Sequence, residues 1–379
     1  MGDPPAGKRR RVVESQESQQ NPLPRDSIYE ILLRCSVDNL QRICSLCPSV
    51  LTILRDPYFR ARYASRQENL GEDSILFVSE ASGYGWNLLS TTVHQPDTTS
   101  VLPSSPNLTR QLEYANGILC SGSGHVTTLF NPTVGASRTL PPFPADDHAT
   151  VKTFIGFDIS SGQFKILGLS KRASSDLWGN QHIYTLEDAR TASWRPLVCG
   201  TSHTIFPKSF DSKSISMTGL LYHTALLPDK KCTLIHLDLS SECFGSNTVP
   251  ELPVFGQYFL SSGLLDVKGK VGVCFLQRVG TYRLWILEDL EKNVWSPMLI
   301  ETPQSIQDQL SHFSSLSFEG FTRAGELVFA EVERKSFYLH CHNPATMVTR
   351  KELIQESTSC ACTLRRTSFW NHKKTFMLT

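Results

Sequence analysis

No uninterrupted apolar run in the 379 residues approaches the roughly 18 to 20 that a membrane-crossing helix needs. The first twenty residues are polar and charged, so no secretory leader is read there, and a soluble chain of the nucleus or cytoplasm is expected. Charge of one sign is lacking too: Lys+Arg 37 against Asp+Glu 36 leaves a formal +1. Such a balance provides no basic field to hold a nucleic-acid backbone. Neither nucleic acid nor membrane is expected as a partner.

Catalytic patterns are equally scarce. There is no nucleophile elbow, triad order or pair of carboxylates on one element, so no nucleophile, base and oxyanion set can be named. The chain is expected to be non-catalytic and to need no cofactor. Gly122-Ser123-Gly124-His125 lacks the Lys-Ser/Thr ending of a phosphate loop and reads as a strand turn. Asp146-Asp147-His148 follows the Pro-rich stretch 141–144 and reads as an exposed loop.

Cys44-x-x-Cys47 has no second pair at zinc-ligand spacing, so these thiols are expected to be small core residues. On a strand, His340 and His342 share one face while Cys341 points away, which argues against a zinc site made with Cys360 and Cys362. No metal is expected. The eleven cysteines are odd in number and scattered, unlike a secreted disulfide framework.

What is present divides the chain in two. Residues 1–22 carry no apolar periodicity and are read as a disordered tail, with Lys8-Arg9-Arg10-Arg11 either a nuclear import signal or a solvated basic patch. From Leu23 the spacing turns helical. Ile28, Ile31, Leu32 and Cys35 fall on one face of a first helix, and Pro24 sits where its first turn tolerates proline. Ser36 caps a second helix whose stripe is Val37, Leu40, Ile43, Cys44 and Cys47. Pro48 separates a third, 49–55, which Asp56-Pro57 ends. So small a bundle has more apolar stripe than one partner helix covers, and part of it should meet another chain.

From Gly71 a two-part unit recurs. A Gly turn opens a short apolar strand at Gly117, Gly219, Gly269 and Gly325; a second strand ends in Asn131, Asp238, Asp289 or Asn343. The intervals are 14, 19, 20 and 18 residues, and the last three Gly residues stand 50 and 56 apart. Asp or Asn caps the turn, and Trp194, Phe244 and Trp295 are read as aromatics returning to the sheet. Four-stranded units of this length must stack, and a radial stack is a β-propeller, here of five or six blades. Closure is expected between the strand at 376–378 and Ile75-Leu76-Phe77.

Two resemblances sharpen this. Residues 23–42, with Leu23-Pro24, Asp26, Ile28, Glu30-Ile31-Leu32, Arg34, Val37, Leu40 and Arg42 at fixed spacings, resemble an F-box, continued by Cys47, Asp56-Pro57 and Phe59. Ser36, Pro48 and Val50 depart from it, standing where a Pro, a basic residue and a Trp are usual. The later region, through Asn116–Cys120, Phe130-Asn131-Pro132, Gly156-Phe157-Asp158, Ser193-Trp194-Arg195, Leu284–Asp289 and Asn343-Pro344, resembles the F-box-associated domain of plant F-box proteins.

The fold class so implied is α+β: a small N-terminal three-helix F-box followed by a large all-β, propeller-like (kelch-like) domain. Its parts are a tail at 1–22, the F-box at 23–62, a linker at 63–70 and the β domain at 71–379. The resemblance implies a substrate-recognition subunit of an SCF-type ubiquitin ligase, with a Skp-family adaptor, and through it a cullin scaffold, as partner. By the same resemblance the adaptor contact falls on Leu23, Pro24, Ile28, Ile31, Leu32, Val37, Leu40, Ile43, Leu46 and Leu54. The substrate-binding residues are not assigned; loops 145–150, 170–179 and 206–214 are candidates. The alternative is an interaction scaffold whose degenerate F-box engages no ligase.

Overall fold

The computed structural model describes residues 24–69, 73–81, 85–103, 105, 108–109, 111–172, 178, 180–186, 193–197, 213–226, 232–250, 263–310, 314–333, 336–356, 366–373 and 375. The expected tail with its basic run, Leu23, Cys360, Cys362, the strand at 376–378 and most of the loops 170–179 and 206–214 lie outside the described residues.

Four helices precede the sheets: α1 (Arg25–Arg34), α2 (Val37–Leu46), α3 (Val50–Leu54) and α4 (Pro57–Asn69). Ser36 caps α2 as the sequence suggests, its hydroxyl accepting from the Asn39 N–H at 3.3 Å. Where a linker was expected at 63–70, the chain stays helical to Asn69. The fourth helix completes the bundle. Phe59 and Tyr63 of α4 join Leu32, Leu33, Leu40, Val50 and Leu54 in one buried cluster. Helix ends leave carbonyls without partners, and α4 supplies donors: Tyr63 Oη to Cys35 O at 3.0 Å, Arg66 to Leu33 O at 2.6 Å and Arg60 to Leu54 O at 3.1 Å.

Six four-stranded antiparallel sheets follow. The first holds β1 (Ser74–Ala81), β2 (Gly85–Thr92) and β3 (Gln95–Leu102); the second β4 (Leu112–Ala115), β5 (Ile118–Ser123), β6 (Val126–Asn131) and β7 (Ala136–Thr139). The third holds β8 (Thr150–Asp158), β9 (Gln163–Lys171), β10 (Asn180–Thr185) and β11 (Arg195–Pro196); the fourth β12 (Ile215–Met217), β13 (Leu220–Leu226), β14 (Cys232–Asp238) and β15 (Phe244–Thr248). The fifth holds β16 (Gly263–Val267), β17 (Lys270–Arg278), β18 (Thr281–Asp289) and β19 (Val294–Glu301). A short helix, α5 (Gln304–Gln307), leads to the sixth: β20 (Ser315–Phe321), β21 (Leu327–Val332), β22 (Ser336–Asn343) and β23 (Val348–Glu356). These are the blades of a six-bladed propeller, with β4, β8, β12, β16 and β20 meeting around the axis.

The fourth strand of blade 1 is β24 (Arg366–Trp370), whose residues pair Ile75↔Trp370 through Ser79↔Arg366. This corrects the closure expected from the sequence: the strand paired with Ile75–Phe77 is Arg366–Trp370. Beyond it the chain laces on to blade 2. The Tyr114 hydroxyl accepts from the Gly117 and Lys373 N–H groups, both at 2.9 Å, and meets His372 Nδ1 at 3.2 Å; Asn131 Nδ2 donates to Thr375 O at 2.7 Å.

Strand alternation builds the interior. Ile75 and Phe77 face blade 6 in a cluster with Val328, Leu339 and Cys341, whereas Leu76 and Val78 face blade 2 beside Leu119 and Phe130. The same split sends Phe154 and Ile155 to opposite neighbours. The recurring turns are as read: Asn116 and Gly117 have φ of 43° and 93°, Lys268 and Gly269 54° and 83°, the left-handed pair of a tight hairpin. At the other turns the Asp238 carboxylate accepts from Ser240 and Asn343 Oδ1 from the Ala345 N–H at 2.9 Å.

Blade packing is tight enough to test. A Cβ on Gly168 would stand 2.2 Å from the Phe143 ring and 3.0 Å from Trp194. Gly168→Ala is therefore expected to destabilise the chain by about 1–3 kcal/mol, read as a lowered midpoint in urea. An unchanged midpoint would contradict this packing.

Burial also sets a pH dependence. His340, fully buried, contacts Glu331 at 2.7 Å, and Lys351 reaches the same carboxylate at 2.8 Å. Burial holds the imidazole below its ordinary pKa of 6.5 despite the pull of Glu331. Burial lowers His182, His236 and His342 as well. Below about pH 6.5 the unfolded chain takes up protons that the folded chain refuses, so stability is present above that pH and is lost as pH falls. The thermal midpoint should drop between pH 7 and pH 5.5; a flat profile there would refute the assignment.

Candidate functional site

The strands around the axis enclose a cavity of about 600 Å³ whose wall mixes apolar side chains with polar and charged ones. Ser214, Ser216, Ser317 and Thr367 line it together with cationic Lys152, Lys213, Arg323 and Lys373 and anionic Glu80, Glu113, Asp266 and Glu319. Glu113 is buried, which pushes its carboxyl pKa up, opposed by Lys152 and by the Ser214 N–H and hydroxyl, which both donate to it at 2.7 Å. Lys213 donates to Ser368 O at 3.3 Å. Glu319 accepts from the Ser317 and Ser368 hydroxyls, while its backbone carbonyl accepts from Trp370 Nε1 at 2.6 Å. This lining can offer hydrogen bonds and ion pairs to a polar guest of either sign. The Cys274 thiol in the wall is pushed up to about 12 by burial, far from thiolate reactivity.

Propeller topology separates two rims. The tight turns at 116–117, 218–219 and 268–269 join first to second strands at one rim, and β1 begins at that rim after α4. The connections between blades and those between second and third strands all start and finish at the opposite rim. Of the candidate loops, residues 145–150, 170–172, 178 and 213–214 are described and belong to those connections. Two of them touch: Asp146 accepts from Arg172 Nε at 3.2 Å in an exposed ion pair. Ser214 reaches the cavity wall itself.

On the helices, the expected contact residues part into two groups. Leu32, Leu40 and Leu54 are 3%, 0% and 2% exposed and hold the bundle's own core. Ile28 and Ile43 are half-buried against it. Pro24 is exposed, as are Ile31 at 49% and Leu46 at 87%. Val37 opens α2; its side chain and Leu23 lie outside what is described. Cys47, expected in the core, is exposed with Sγ 3.0 Å from Ser49 Oγ, because α2 ends one residue before it.

Comparison with known proteins bears on the sheets. Residues 74–376 match the model of the F-box associated beta propeller domain, from the start of β1 to beyond β24. The chain belongs to this family. Among relatives of the family member described here, "F-box protein At1g30790" of Arabidopsis thaliana is 27% identical over 316 residues, 79% of this chain and 77% of that one. "F-box/kelch-repeat protein At3g04660" of the same plant is 24% identical over 377 residues, 92% of each. A solved WD40 domain of SCAP from fission yeast covers 76% of this chain and 85% of its own at 11% identity and TM-score 0.39, a likeness too distant to bear on function.

Proposed function

We propose that this propeller is the target-holding part of a substrate receptor in an SCF-type ubiquitin ligase. Helices α1–α4 form the F-box that docks on a Skp-family adaptor and through it on a cullin scaffold. The observation that carries the reading is the family match over 74–376, on a chain whose preceding helices leave Ile31 and Leu46 exposed. Large exposed apolar side chains on a small helical unit are what a partner surface requires. The receptor performs no bond chemistry. It raises the effective concentration of a target lysine near a charged enzyme recruited elsewhere.

The target is assigned to the rim opposite the helices' attachment and to the cavity mouth, where loops on a rigid scaffold are free to vary. Two of the three departures are compatible with docking: Ser36 caps α2, and Val50 fills the bundle core.

Co-expression of the full chain with a Skp-family adaptor, followed by gel filtration, tests the reading. A stable 1:1 complex is expected. A monomer in excess adaptor would instead make the chain an interaction scaffold outside any ligase. Affinity capture with the proteasome blocked should then enrich the target.

A further inference from the structure

Where blade 6 meets blade 1, side chains distant in sequence converge on one point at the rim of tight turns. Cys341 of β22 and Arg350 of β23 are paired across the sheet, and Glu352 lies two residues on, so all three share a face. That face looks towards blade 1, where His94 sits in the turn between β2 and β3 at φ 71°. His94 nitrogen, Cys341 Sγ and a Glu352 oxygen lie within 4.8 Å of one another. His94 Nδ1 stands 3.7 Å from Glu352 Oε1, and His94 Nε2 stands 2.6 Å from Glu326 Oε2. Cys341 is 1% exposed, and Glu352 Oε2 is buried without a hydrogen-bond partner.

We propose that His94, Cys341 and Glu352 form a zinc site, with Glu326 or a water as fourth ligand, which staples the last blade to the first. Nitrogen, thiolate and carboxylate are the donor types that a borderline-soft divalent ion collects. Ligand atoms about 2.0–2.3 Å from a tetrahedral zinc stand about 3.3–3.8 Å apart, so the His94–Glu352 edge already has the right length. The remaining edges need a contraction of about 1 Å, which side-chain rotation at His94 can supply.

The surrounding charge favours a cation. Asp73, Glu326 and Glu352 face Arg323 and Arg350 there, three carboxylates against two guanidiniums. In the present arrangement Arg350 donates to Glu326 at 2.8 Å and lies 2.7 Å from His94 Nδ1. Its side chain is about half exposed, so it can swing to solvent as the ion enters past His94. Forming the zinc–sulfur bond breaks the Cys341 S–H bond and sends one proton to solvent.

The test uses the purified full chain, dialysed with zinc and analysed for bound metal, with cobalt as a spectroscopic substitute. One metal per chain is expected, with a thermal midpoint that rises on zinc addition because the unfolded chain lacks the site. Cobalt should give a thiolate charge-transfer band that Cys341→Ala abolishes. His94→Asn, which keeps a residue tolerant of the left-handed turn, should weaken zinc binding at least tenfold and cancel the thermal shift while the metal-free midpoint stays put. Absence of stoichiometric binding would overturn the proposal. So would equal binding by wild type and both variants, which would place the metal on other thiols.

Discussion

Ile31→Asp with Leu46→Asp is expected to abolish capture of a Skp-family adaptor while leaving the chain folded. Each side chain, if covered by a partner, contributes about 1.5–3 kcal/mol. Losing both costs about 3–6 kcal/mol, which raises Kd at least about a hundredfold and dissolves a micromolar complex. Because Ile31 and Leu46 are exposed in the free chain, charging them should change stability by no more than about 0.5 kcal/mol. Leu40→Asp is the contrast. It places a carboxylate at a position 0% exposed and should unfold the helical bundle, losing the adaptor for a different reason. Pull-down on immobilised adaptor, paired with circular dichroism of each variant, separates the two. Wild-type capture by the double variant would remove the interface from this face.

A chain ending at Glu356 is expected to lose its cooperative unfolding transition. It lacks β24 and with it the ladder from Ile75↔Trp370 to Ser79↔Arg366, the buried Phe369 and the Tyr114 junction with Lys373. Losing a buried Phe alone costs about 3–5 kcal/mol, against a total of about 5–15 kcal/mol for a native chain. Blades 1 and 2 would also expose apolar Leu76, Val78 and Leu119. A peptide of residues 366–375 added in trans should restore a cooperative transition. An unchanged midpoint for the truncated chain would show that the ring does not depend on this strand.

Much of this architecture is legible in the residues themselves. Gly269 and Asp289 announce turns because few other residues tolerate such backbones, and the spacing of these pairs gives the blade. The closing strand is not legible for an equally physical reason. Thr367 and Ser368 line the cavity, and Arg366-Thr367-Ser368 give the innermost strand little of the apolar signal that marks outer ones, so attention falls on the apolar 376–378 instead. The helices show a different limit. Ile31, Leu32 and Leu40 all stand on the apolar stripes of the first two helices, yet Leu32 and Leu40 are buried and Ile31 is exposed, because core and interface ask for the same residue type. Only α4 decides between them. Its Phe59 and Tyr63 cover the face that includes Leu40, and its arginine-rich sequence gives scant apolar periodicity. The cavity ion pairs and the His94–Cys341–Glu352 cluster are assembled from separate blades and leave no local pattern.

The bond from the Ser74 hydroxyl to the His372 carbonyl, 2.7 Å long, spans 298 positions of the chain. A ribosome adding about 5–20 residues per second delivers β1 well before its partner β24 exists. Throughout that interval blade 1 has an open edge, while α1–α4 are already made. Under the proposed function a partner of α1–α4 can engage a half-made receptor, and β24 then separates a receptor able to hold its target from one able only to occupy the ligase.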